Sequence, residues 1–329
     1  MKEKNWFKDH FTGLLLTGAL ALLAMILDSF FPLIGSAVFA ILFGMLIRNS
    51  LGVKEAYRPG VAYSGKKLLQ YSIIVLGFSM SIQNVKDIGL TSLPLSLSTI
   101  SLAFLVALVV GRLLGLSSNL RILIGFGTAI CGGSAIAAAS PILEAEKEDV
   151  ALSISTIFFF NILAVFLFPP LGHLLHMSDW NFGLWAGTAI NDTSSVVAAA
   201  FSYSEEAGNL ATIVKLTRAL MIIPICLGLA IWKYRTSKAK EQSLRQIFPT
   251  FIFWFLLASL VSSLGLMPAT WIPVSKKVSQ FLMAMALAGI GLQVSLADFK
   301  KAGPKPFLTG ALAWISIGLA SLIIQGVLR

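Results

Sequence analysis

The stretch GTAICGGSAIAAAS, residues 127–140, returns at residues 187–200 as GTAINDTSSVVAAA, sixty positions later and without a gap. Seven of the fourteen positions are identical, and both copies lie inside apolar segments while carrying a polar or glycine-rich centre. Helix-interrupting polar sequence at membrane depth is tolerated only where it is buried in protein or lines a watered cavity. The pair therefore marks the working site and, by its setting, a helical membrane fold.

Composition agrees. Of 329 residues, 57% are hydrophobic and 12% charged, with a mean hydropathy of +0.85, more apolar surface than one soluble core hides. Apolar runs of about 20 residues, enough to cross a hydrocarbon layer of roughly 30 Å as helix, recur along the chain. They lie near residues 13–31, 33–50, 68–82, 92–111, 121–143, 150–171, 184–204, 210–232, 247–266, 277–297 and 307–328. No soluble domain is left over, so residues 1–329 are read as a single integral membrane transporter domain, with repeat-containing core segments at 121–143 and 184–204. The opening MKEKNWFKDH resembles a signal n-region, but the run behind it is long, lacks a small-residue cleavage site and leads into another span. It is expected to be a retained first helix.

A net charge of +10 would suggest nucleic acid in a soluble protein; here it is read as topology, and no nucleic-acid partner is expected. If all eleven segments cross, 18 Lys and Arg fall on the N-terminal side of the membrane and 5 on the other, which places the N-terminus in the cytoplasm. If the repeat segments are re-entrant hairpins, nine segments cross and the split becomes 19 against 4. Charge does not choose between them. In the nine-crossing form the hairpins enter from opposite faces and meet near the midplane, as discontinuous helices do in inverted-repeat transporters. The expected fold is an all-α polytopic membrane protein of 9 to 11 transmembrane helices with internal, inverted repeats and two broken helices or re-entrant hairpins at the midplane. A weaker echo pairs LGFSMSI, residues 76–82, with AGIGLQV, residues 288–294.

In the first copy, Cys131, Gly132 and Gly133 leave backbone N–H and C=O groups uncovered, and Ser134 adds a hydroxyl. A break there aims helix-end dipoles at a bound ion, the N-terminal end favouring an anion. In the second copy Asn191, Asp192, Thr193, Ser194 and Ser195 put consecutive polar side chains near the centre of an apolar segment. Asp192 is the only acid deep in any span, and a carboxylate there needs a partner, a proton or a cation. Lys215 and Arg218 share one face of the next segment. With a helix starting near Leu210, Arg218 would lie about 12 Å in, while Lys215 could snorkel to the interface. One acid and two cations leave a surplus positive charge, and a planar guanidinium suits an oxyanion. A small anion is the expected substrate, with Asp192 holding the cations when the site is empty. Asn161, mid-span in FFFNILAVF, either reaches the same cavity or makes an interhelical hydrogen bond, and Gln293 carries the same ambiguity. Cys131 and Cys226 both fall in apolar segments, which argues against a disulfide framework and a metal site.

GTAICGGSAIAAASP, FFFNILAVFLFPPLGHLL, LWAGTAINDTSSVVAAAF and ATIVKLTRALMIIP resemble the YeiH-type family of bacterial inner-membrane proteins, labelled sulfate exporters by inference. The resemblance covers nearly the whole chain and is most specific over Leu123 to Ile231. It implies kinship with the cation/proton antiporter and anion transporter superfamily, whose members use crossed, broken helices. It places the family's signature sites on Cys131, Gly132, Gly133 and Ser134, on Asp192, Thr193, Ser194 and Ser195, and on Lys215 and Arg218. One departure is visible: the family pattern has histidine before the aspartate, where this chain has Asn191, which puts in doubt a proton relay through that position.

The expected activity is alternating-access transport, in the export direction, of a small anion such as sulfate or a related oxyanion or organic anion, without enzymatic chemistry. A sodium/proton antiporter using Asn191 and Asp192 is the alternative, disfavoured because two cations near the acid lower its affinity for Na⁺. A remote alternative is an intramembrane serine hydrolase pairing Ser134 with His173; the chain has no H-E-x-x-H, P-loop or G-x-S-x-G. No cofactor is expected, H⁺ and Na⁺ being the candidate coupling ions. The expected partners are the anion and the lipid bilayer, and a homo-oligomer is compatible with the sequence.

Overall fold

The computed structural model describes residues 6–30, 36–236, 250–268, 270–295, 297 and 303–327. Every regular element among them is helical. The first helices are α1 (Trp6–Phe30) and α2 (Ser36–Ser50), then α3 (Arg58–Tyr63), which runs through a π-helical stretch (Ser64–Leu68) into α4 (Leu69–Gly77). They are followed by α5 (Ile82–Leu113), α6 (Ser118–Phe126) with a π-helical extension (Gly127–Cys131), α7 (Gly133–Leu143) and α8 (Lys147–Leu174). Next come α9 (Asp179–Ala189), α10 (Thr193–Tyr203), α11 (Glu205–Leu220) and α12 (Ile222–Thr236). The last are α13 (Thr250–Ser263), α14 (Trp271–Gly291) and α15 (Pro304–Val327). The topology charges expected at residues 1–5, 237–246 and 298–302 lie outside the described residues.

Among the described residues, five helical stretches are long and apolar enough to cross a bilayer: Asp9–Phe30, Ile82–Leu113, Lys147–Leu174, Glu205–Trp232 and Pro304–Gly326. Their outward faces fit that solvent. On α15, Leu308, Leu312, Ile315, Leu319 and Ile323 recur at steps of three and four and are all exposed, a stripe that water would penalise and lipid would not. The protein is a multi-pass membrane protein. Each repeat segment proves to be a pair of short helices, split at Gly132 in the first and at residues 190–192 in the second.

The chain forms two compact units. The first comprises residues 1–87, 201–203 and 250–296. Small residues let its helices touch backbone to backbone. A Cβ on Gly13 of α1 would come within 2.3 Å of the Tyr57 carbonyl oxygen, and one on Gly60 of α3 within 2.2 Å of that of His10. Gly44 of α2 and Gly291 of α14 meet in the same way, 2.4 Å from the Ala288 oxygen and 2.2 Å from the Ile41 oxygen. The weaker sequence echo falls on two helix ends of this unit: Ser79 N–H donates to Leu76 at 2.9 Å after α4, and Gln293 N–H to Ile290 at 2.9 Å after α14. The Gln293 amide donates to Gly289 of its own helix at 2.8 Å, so its side chain is satisfied locally.

The second unit comprises residues 88–200, 204–249 and 297–329 and holds both fourteen-residue copies of the repeat, 127–140 and 187–200. α15 braces the second of them: Trp185 Nε1 donates to Gly318 at 3.0 Å, and the Thr188 and Ser321 hydroxyls lie 2.8 Å apart. Phe168 stacks on Trp185 at 4.1 Å between centroids, tying α8 to α9.

Candidate functional site

Each repeat segment returns to the place where it started. Ser117 caps α6, its Oγ accepting from Leu120 N–H at 3.1 Å, and the same hydroxyl donates to Asp149 Oδ2 at 2.8 Å in the first turn of α8. The excursion through α6 and α7 is thereby clasped at its base. The second segment has the mirror arrangement: Ser204 caps α11 by accepting from Ala207 N–H at 3.0 Å and donates to Asp179 Oδ1 in the first turn of α9. Both segments are helical hairpins. At the first tip, Gly132 adopts φ 64° and ψ −130°, a region only glycine occupies without strain. Ile136 lies so close to Gly127 that a Cβ there would meet its Cδ1 at 2.9 Å, where a straight helix would separate the two residues by about 13 Å.

The hairpins start from opposite ends of α8. That helix leaves the first clasp and runs 28 residues to Leu174, about 42 Å, shortly before α9 begins. Asn161 lies at its midpoint, and the two tips meet there. A Cβ on Gly132 would sit 3.2 Å from Asp192 Cβ, 3.5 Å from Asp192 Oδ1 and 3.5 Å from Asn161 Nδ2. Asn161 Oδ1 in turn accepts from Asp192 N–H at 3.2 Å. Gly132 and Asp192 are the same position of the two repeats, so the alignment seen in sequence becomes a contact in space.

Asp192 does not hold the cations. Its carboxylate caps α10, accepting from Ser194 N–H at 2.9 Å and from the Ser194 hydroxyl, and among the described residues no ion pair joins it to Lys215 or Arg218. The cations sit instead on main-chain oxygens at the ends of the incoming half-helices. Lys215 Nζ donates to Ile130 at 2.7 Å and to Ile190 at 3.0 Å. Arg218 donates from Nη2 to Thr128 at 3.0 Å, from Nη1 to Thr188, and from Nε to Ala129 at 2.6 Å. The shared GTAI residues explain the pattern: Arg218 bridges the paired threonines and Lys215 the paired isoleucines. Positive charge there offsets the negative dipole ends of two half-helices and satisfies carbonyls that have no helical partner. Of the two readings left open for Lys215, snorkelling does not occur, since Lys215 and Arg218 are both fully buried. Their depth follows from an earlier helix start, at Glu205 instead of Leu210, which puts Arg218 about 20 Å from the N-terminus of α11.

What remains unsatisfied defines the chemistry. The N-terminus of α7 has no side-chain cap, in contrast to that of α10. Beside it Asn161 Nδ2, in a residue 2% exposed, has no hydrogen-bond partner, and both amide atoms of Asn191 and the Thr128 hydroxyl are buried and unpartnered as well. Thr193, Ser194 and Ser195 are buried in the first turn of α10, Cys131 is buried below Gly132, and Gly133 is half-buried. Ser134 is exposed and donates to the Cys131 carbonyl at 3.2 Å. His173 lies in the last turn of α8, about 18 Å along that helix from Asn161. Sequence reading missed the carbonyl acceptors and the two clasps; the exact repetition of GTAI and the cap-forming Ser117, Ser178 and Ser204 ahead of helices were the available signals.

Fold and site together define a polytopic helical membrane protein built around two opposed hairpins with a charged, partly unsatisfied junction. The chain belongs to the family described as conserved hypothetical protein 698, whose model matches residues 12–310, the YeiH-type family its motifs resemble. It is 45% identical to a UPF0324 membrane protein of Streptococcus pneumoniae strain R6, over 98% of both chains, and 41% identical to one of Streptococcus agalactiae, again over 98% of both. No solved structure matches it.

Proposed function

We propose that this protein is a secondary transporter that carries a small anion, such as sulfate or a related oxyanion or organic anion, across the bacterial cell membrane by alternating access. The observation that carries this reading is the junction of the tips, where the uncapped N-terminus of α7 and the unpartnered Asn161 amide nitrogen converge on one point. A helix N-terminus presents free N–H groups and positive partial charge, the usual elements of an anion seat. Two fully buried cations behind it add to the positive potential. On this reading nine segments cross and the hairpins enter from opposite faces, so that α6–α8 and α9–α12 form inverted repeats about the tips. The N-terminus is cytoplasmic by the positive-inside rule, and export is the direction we assign.

Charge movement on a solid-supported membrane bearing proteoliposomes tests the proposal, with jumps of sulfate, other small anions, Na⁺ and pH. An anion jump should evoke a current that Asn161→Ala abolishes. A response confined to Na⁺ or pH would instead assign Asp192 to a cation and make the protein an antiporter.

A further inference from the structure

Away from the junction, the first unit carries a second repeated motif. KKLLQY at residues 66–71 returns as KKVSQF at residues 276–281, its first lysine ten residues ahead of LGFSMSI in one copy and twelve ahead of AGIGLQV in the other. The chain's remaining lysine doublet, at 300–301, has no glutamine three positions after it. Both copies of the motif are helical, one across the π-helical stretch into α4 and the other in α14. Spacings of three and four put Lys67, Gln70 and Tyr71 on one face, and Lys277, Gln280 and Phe281 on another. Lys66, Lys67, Tyr71 and Lys277 are exposed, and Gln70 and Gln280 are half-buried.

The two helices pack against each other antiparallel. A Cβ on Gly289 of α14 would come within 2.9 Å of the Gly65 nitrogen, and ten residues earlier Ser279 Oγ donates to the Ser72 carbonyl at 2.7 Å. That register sets the doublets on opposite halves of the pair, about 10 Å apart along it. Both helices are among the nine crossings of the proposed topology. Lys67 lies about 14 Å and Gln70 about 18 Å from the start of α3, and Lys277 about 9 Å and Gln280 about 14 Å from the start of α14. A lysine extends its stem toward the headgroups from such a position, but a glutamine one turn further in has no such reach. Polar side chains at bilayer depth face water or protein, not lipid. Lysine paired with glutamine therefore marks a watered face, and its repetition on antiparallel helices gives one such face to each side of the membrane.

Building on the anion-carrier reading, we propose that the two doublets are landing sites for the transported anion. Lys66 and Lys67 with Gln70 serve the cytoplasmic side, and Lys276 and Lys277 with Gln280 the outside. Two ammonium groups raise the local concentration of a small oxyanion such as sulfate through a field that salt screens. The glutamine amide donates a hydrogen bond as the ion sheds part of its hydration. Alternating access opens the seat to each side in turn, so the same mouth is needed twice.

The test is charge movement in proteoliposomes of phosphatidylcholine alone, holding the protein in both orientations, with jumps of sulfate, nitrate and formate. Wild type is compared with Lys66→Gln/Lys67→Gln and with Lys276→Gln/Lys277→Gln. In each double variant the saturation curve should split: molecules whose altered face meets the jump shift upward about tenfold in half-saturating concentration, and the rest keep the wild-type value. All four substitutions together should shift the whole curve, and high ionic strength should shift the wild type in the same way. An unchanged or uniformly shifted curve in both double variants overturns the landing sites and leaves the carrier reading standing. A split that appears only when anionic phosphatidylglycerol is added assigns the lysines to lipid headgroups and overturns them as well. No current from the wild type with any of the three anions overturns the carrier reading, and the landing sites with it. Should the double variants fail to fold, Lys67→Cys and Lys277→Cys decide, each in a background with Cys131 and Cys226 replaced. Both should react faster with an anionic than with a cationic thiosulfonate, Lys67→Cys from the cytoplasm and Lys277→Cys from outside. Charge-blind reaction, or reaction of both from one side, overturns the proposal.

Discussion

At the first hairpin the chain turns through Cys131, Gly132 and Gly133, and at the second through Asn191, Asp192 and Thr193. Both turns follow the same GTAI, and both lean on the same two cations: Thr128 and Thr188 on Arg218, Ile130 and Ile190 on Lys215. Past that point they diverge. The second tip supplies its own cap, Asp192 to Ser194, whereas the first leaves the α7 N-terminus open beside Asn161. The identical residues thus build the crossing, and the substituted ones make its chemistry. Two copies of a hairpin need the same carbonyls in the same place, whereas the proposed anion seat needs one tip left open.

The largest expected effect comes from breaking what the tips share. Arg218→Ala strips three buried carbonyls of their donor and should cost about 3–5 kcal/mol, read as a loss of thermal stability in detergent. Arg218→Lys should recover only part of it, because one ammonium nitrogen cannot reach all three carbonyls that the planar fork holds from Nε, Nη1 and Nη2. A variant as stable as wild type would mean that the cations do not hold the tips together.

A middle-sized effect should follow from removing the difference. Gly132→Ala places a side chain at positive φ and a Cβ 3.2 Å from that of Asp192, at a cost of about 1–3 kcal/mol. Because the added methyl stands where the tips meet, anion-evoked current should fall further than stability does. Parallel losses in both would show that the residue serves folding alone.

The smallest effect sharpens the comparison at the hairpin bases. Ser117→Ala and Ser204→Ala each remove an N-cap and a clasp to an aspartate, and each should cost about 1 kcal/mol. Similar values from chemical unfolding would support equivalent hairpins; a loss confined to one would show that only that hairpin is held at its base.

The repeat was legible because side chains recorded it: seven identities over fourteen residues, set in apolar runs. The polar residues of both tips were legible for the same reason. The role of Lys215 and Arg218 was not, because their acceptors are main-chain oxygens, which any residue supplies and no alphabet records. Charge complementarity directed both toward Asp192, whereas the nearest negative potential at that depth is the C-terminal end of two half-helices. Hairpin and crossing were indistinguishable in sequence because residues 144–150 carry a single cation, Lys147, too little positive charge to fix their side. The packing of α1 on α3 and of α2 on α14 rests on glycines whose partners lie far along the chain, beyond any local pattern.

The opposed hairpins are the centre of this account, and side-specific labelling tests them most directly. In a background with Cys131 and Cys226 replaced, single cysteines at the exposed positions Ser118, Glu148, Trp180 and Glu206 would be probed with an impermeant maleimide in intact and permeabilised cells. The account predicts that Ser118→Cys and Glu148→Cys react only after permeabilisation, and that Trp180→Cys and Glu206→Cys react from outside. Opposite sides for Ser118 and Glu148, or for Trp180 and Glu206, would make the segments full crossings and contradict it.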